Sequence, residues 1–97
     1  MSEQTRIWCV YHVIHVRTPH QHIPKLVVTD VPVGVEVSEE MLERAGYLFE
    51  EFNIPWANHV IKPVDKDAPS DLIARLRAGE GKWLTYAQLL ERANAPI

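Results

Sequence analysis

The chain has 97 residues, 46% of them hydrophobic, with one cysteine and a net charge of −3, which fits a single globular domain over 1–97 and excludes a disordered chain. Its longest apolar run is broken by His12, His15 and Arg17, and residues 1–6 lack a secretory leader's basic and apolar regions, so no membrane span is expected and the expected compartment is the cytoplasm. The excess negative charge sits on 38–53, where five glutamates face one basic residue, Arg44, so a general nucleic-acid binder is not expected.

Residues 6–17 and 23–31 are rich in Val, Ile, Tyr, Trp and Thr, and the break between them is punctuated by Pro19 and Pro24. That pattern predicts two strands joined as a hairpin. Pro32 and Gly34 end the second strand. Ser38 then stands as an N-cap before Glu39 and Glu40, and Met41, Leu42, Ala45, Leu48, Phe49 and Phe52 recur at helical spacing. A helix over 38–53 follows from that spacing. A proline-bounded run gives a third strand over about 56–62. Ser70 and Asp71 open a short helix through Leu72, Ile73 and Leu76 that stops at Gly79. After a turn at 79–82, Thr85-Tyr-Ala-Gln88 has the form of a capping box and starts a last helix through Leu89 and Leu90. The expected fold is α+β: an antiparallel hairpin and a third strand packed with one long and two short helices, in the order ββαβαα.

Four of the five histidines fall within eleven residues: His12, His15, His20 and His22. Imidazole titrates near neutral pH and ligates metals, so this cluster is the candidate for chemistry. His12 and His15 are three apart, and on a strand they point to opposite faces. A tight turn pairing Arg17 with His22 sets His15 opposite Pro24, with His22 as its diagonal neighbour, and His15, His20 and His22 then converge near the hairpin tip. These three are the candidate metal or acid–base residues. No carboxylate or thiol lies near them in the sequence to complete or orient a site. No cofactor is expected, Cys9 reads as an inert core thiol, and the serines sit at a terminus or at helix caps.

In that register one hairpin face carries Trp8, Val10, Val27 and Val31, and the other carries Cys9, Tyr11, Leu26 and Val28. Both faces are apolar and both need cover, from helices, a partner or a second copy of the chain. On the 38–53 helix the apolar residues form one arc. Glu39, Glu40, Glu43, Glu50 and Glu51 fall on the opposite side with Tyr47 among them, the pattern of a docking face for a basic protein. Residues 82–92 resemble the first helix of helix-turn-helix modules over eleven residues, a match that says nothing either way about DNA binding. The expectation is a non-enzymatic protein–protein interaction module, an inhibitor, adaptor or accessory subunit. Its partner is a protein, for instance a basic nucleic-acid-binding enzyme, with a homodimer as the other expectation. The alternative is a small metal-binding or acid–base enzyme using His15, His20 and His22.

Overall fold

A computed structural model describes residues 4–16, 18–47 and 57–94. The elements are β1 (Thr5–Ile14), β2 (Gln21–Pro32), α1 (Glu39–Arg44), β3 (Ala57–Val64), α2 (Ser70–Arg77), β4 (Lys82–Thr85) and α3 (Tyr86–Ala93). The fold is α+β, and β1 and β2 form the expected antiparallel hairpin. The sheet is mixed: its order is β3-β1-β2-β4, with β3 antiparallel to β1 and β4 parallel to β2. The strand β4 was not expected. Thr85 ends it and at once caps α3, its Oγ1 accepting from Gln88 N while its own N–H donates to Gln88 Oε1, which completes the predicted capping box.

The hairpin register differs from the expected one. Val13, not Arg17, lies opposite His22, and Tyr11, not His15, lies opposite Pro24. The connection at the tip is therefore longer than a tight turn. Two irregularities also break the ladder, one between Val10 and Tyr11 and one between Arg6 and Trp8. The first leaves Lys25 as an extra residue on β2; the second adds one near Thr29 and Asp30, where Asp30 takes φ 60. Each extra residue flips the side-chain parity of β2 relative to β1. Leu26 and Val28 consequently join Trp8 and Val10 in one core, while Val27 joins Cys9 and Tyr11 in the other. Val31, beyond the second irregularity, returns to the Trp8 side as expected.

Both apolar faces have their own helices. Leu42 of α1 and Leu89 of α3 pack on the Trp8–Val10–Leu26–Val28 face. Leu72 and Leu76 of α2 pack on the Cys9–Tyr11–Val27 face. Burying a leucine contributes about 1.5–3 kcal/mol, so these four residues fasten the helices to the sheet. Pro63, which has no N–H to offer a ladder, stands on β3 at the sheet's edge.

The helix expected over 38–53 ends at Arg44. Ser38 caps it as expected, its Oγ accepting from Met41 N at 3.1 Å. Its C-terminus closes as a Schellman motif: Gly46 N donates to Glu43 O, Tyr47 N donates to Leu42 O, and Gly46 adopts φ +94. The second half of the expected helix, with Leu48, Phe49, Glu50, Glu51 and Phe52, lies outside the described residues. A Cβ on Gly46 would meet nothing within 4 Å. Gly46→Ala should therefore destabilise by about 1–2 kcal/mol through backbone conformation alone. Gly46→Asn should cost less, since asparagine tolerates this region. Urea denaturation of the two variants measures the difference.

Candidate functional site

Near the tip of the hairpin, strand pairing brings His22 beside Val13, on the face that α2 covers. Asp71 comes from the first turn of α2, where the helix dipole favours a carboxylate. Its Oδ2 accepts the His22 backbone N–H at 2.9 Å, and its Oδ1 lies 2.9 Å from His22 Nδ1. A neutral His22 facing that carboxylate carries its hydrogen on Nδ1, which leaves the lone pair on Nε2. The His22 ring also packs beside Tyr11, with centroids 5.8 Å apart.

His15 and His20 stand in the connection. Their rings meet edge to face at 4.8 Å, and Asn58 Nδ2 of β3 donates to His15 Nε2 at 3.1 Å. His20, His22, Ser70, Asp71 and Arg75 border a cleft of about 660 Å³, and Arg75 is held by Glu80 at 3.2 Å. A carboxylate-oriented imidazole on such a cleft can accept or pass on a proton at Nε2. Among the described residues no three His, Cys, Asp or Glu side chains gather closely enough to hold a metal. His15 contacts His20, and His22 contacts Asp71, but the three candidate histidines do not share one centre.

Asp71 is the residue that sequence reasoning missed, because it lies 49 positions from His22. The available signal was an aspartate in a helix's first turn, which has a sufficient local explanation as a favourable dipole partner. Partial desolvation pushes the Asp71 carboxyl up, but the hydrogen bond from the His22 backbone, the His22 charge and its ring outweigh that and hold it below its ordinary value. A carboxyl lowered on folding stabilises above its unfolded pKa, and that contribution disappears as pH falls through the lower folded value. The carboxylate is 41% exposed, so solvent screening limits its effect. Asp71→Ala should destabilise by about 1 kcal/mol at neutral pH. The gap from the unsubstituted chain should close in acid, as measured by denaturant midpoints across pH.

His12 is separate from this group. It is buried opposite Ile23 and His59, and burial, followed by the charges of Lys25 and His59, pushes its pKa down. It serves as a neutral core histidine. Cys9 is fully buried, and burial pushes its thiol up to about 12, so it is inert in the folded state.

The second candidate surface is α1. Glu39, Glu40 and Glu43 are exposed while Leu42 is buried beneath them. Arg44 pairs with Glu40 at 2.7 Å, and both side chains are largely in solvent. Glu50 and Glu51 lie outside the described residues. Tyr47 falls past the helix end, because Gly46 turns the chain before it. It is half-buried against the Leu42–Leu89 core instead of standing among the glutamates. Compared with known protein families, characterised proteins and solved structures, the chain matches none. Among the described residues no helix is long and apolar enough to cross a membrane.

Proposed function

We propose that this chain is a non-catalytic protein-binding module that docks a basic partner on the α1 face. One observation carries the reading: α1 is fixed at both ends, by Ser38 and by the Gly46 closure, with Leu42 locked in the core, so Glu39, Glu40 and Glu43 project from a rigid mount. Pre-ordered carboxylates steer a basic surface and lose little entropy on binding. The sheet is a weaker candidate for docking, since its two apolar faces have helix cover and its β3 edge carries Lys62 and Pro63, which oppose edge-to-edge pairing. Affinity capture from the native host tests the reading. The unsubstituted chain should retain a basic protein that the Glu39→Lys/Glu40→Lys/Glu43→Lys variant does not, and equal capture by both contradicts it.

A second reading, an acid–base site on the His22 cleft, is favoured by the Asp71 carboxylate on His22 Nδ1. Its weakness is that Asp71 also takes the backbone N–H of the same histidine, the geometry of a clamp between β2 and α2. Asp71→Ala separates the two. The docking reading expects this variant to retain capture and with it function, and the acid–base reading expects function to be lost although the variant stays folded.

A further inference from the structure

The strand β4, helix α3 and the residue that closes α1 border a groove of about 430 Å³, lined by Tyr47, Lys82, Trp83, Gln88, Glu91 and Arg92. The Lys82 ammonium lies 5.4 Å, and the Arg92 guanidinium 5.5 Å, from the centroid of the same Tyr47 ring. The ring's negative face attracts each cation, but it cancels neither charge. The ion pairs among the described residues are His22–Asp71, Arg44–Glu40 and Arg75–Glu80, so neither Lys82 nor Arg92 is paired with a carboxylate there. Glu91 borders the groove without pairing with either cation. Both cations line the same groove, so a dianion entering it meets two positive charges.

Trp83 supplies the other half of the argument. The residue is 43% exposed, unusual for tryptophan, and its Nε1 donates to Glu80 O at 3.2 Å. The ring is held in orientation and left partly bare, which suits stacking by a planar group. We propose that this groove binds a free mononucleotide, with its phosphate between Lys82 and Arg92, its base on Trp83 and a ribose hydroxyl donating to Glu91. A phosphate monoester near neutral pH carries close to two negative charges, which matches two cations. A nucleic-acid strand would need basic charge continuing beyond the groove. The carboxylate of Glu91 and the net charge of −3 oppose that.

Tryptophan fluorescence of the full chain, titrated with adenosine monophosphate, tests the proposal, with adenosine, inorganic phosphate and oligothymidine as separate arms. The nucleotide should quench saturably, and Trp83→Phe should remove the quenching. Lys82→Ala and Arg92→Ala should each weaken binding about tenfold, while Lys82→Arg retains it. Adenosine should bind at least about tenfold more weakly than its monophosphate. Urea midpoints of the same variants, together with calorimetric titration, keep loss of the site apart from loss of the fold. No saturable response to the nucleotide at millimolar concentration overturns the proposal. So does equal binding of inorganic phosphate, tighter binding of the oligonucleotide, or affinity unchanged in both alanine variants.

Discussion

Leu72→Ala should destabilise the protein by about 2–5 kcal/mol, among the largest effects available to a single substitution in this chain. Leu72 is almost wholly buried and, with Leu76, carries the contact of α2 with Cys9, Tyr11 and Val27. Truncation removes its transfer free energy and leaves a cavity between a helix and a rigid sheet, which cannot collapse to fill it. Ile73, next to it and only half-buried, should cost clearly less when truncated. Cys9 gives a second readout. Its thiol is sealed beneath α2, so a thiol reagent should label the native chain slowly and the Leu72→Ala chain much faster at a denaturant concentration where both remain folded. Equal labelling rates would mean that α2 does not seal this face.

The second large effect is on binding. Reversing Glu39, Glu40 and Glu43 to lysine should slow association with the basic partner by about 100-fold or more at low salt, because attraction becomes repulsion over the same surface. Reversal also places cations at the N-terminal end of α1 and breaks the Glu40–Arg44 pair, costing roughly 1–2 kcal/mol of stability. The Glu→Gln triple variant separates the two consequences. It removes the charge without setting lysines against the helix dipole, so it should lose most of the steering and little of the stability.

The local chemistry of this fold was legible in its sequence, and its long-range geometry was not. Ser38, the Thr85–Gln88 box and Gly79 each act within a few residues, and each does what its side chain or backbone freedom implies. Gly46 is an instructive miss. The apolar spacing through Phe52 suggested a continuous helix, yet one glycine at positive φ, closed by two backbone hydrogen bonds, ends it at Arg44. The hairpin faces failed for a different reason. Period-two reasoning assumes an unbroken ladder, and extra residues at Lys25 and near Asp30 moved Leu26, Val27 and Val28 to the opposite faces. The four-residue β4 pairs in parallel with β2, far upstream in the chain, so no local pattern marks it. Asp71 reached His22 by the same kind of distant meeting, through the docking of α2 on the sheet.

The claim that α1 docks a basic protein is tested most directly by the association rate with the captured partner, measured across ionic strength. The rate should fall steeply as salt rises for the unsubstituted chain and stay low and nearly flat for the Glu→Gln triple variant. A rate independent of salt, or one that the Glu→Gln substitutions leave unchanged, would contradict it.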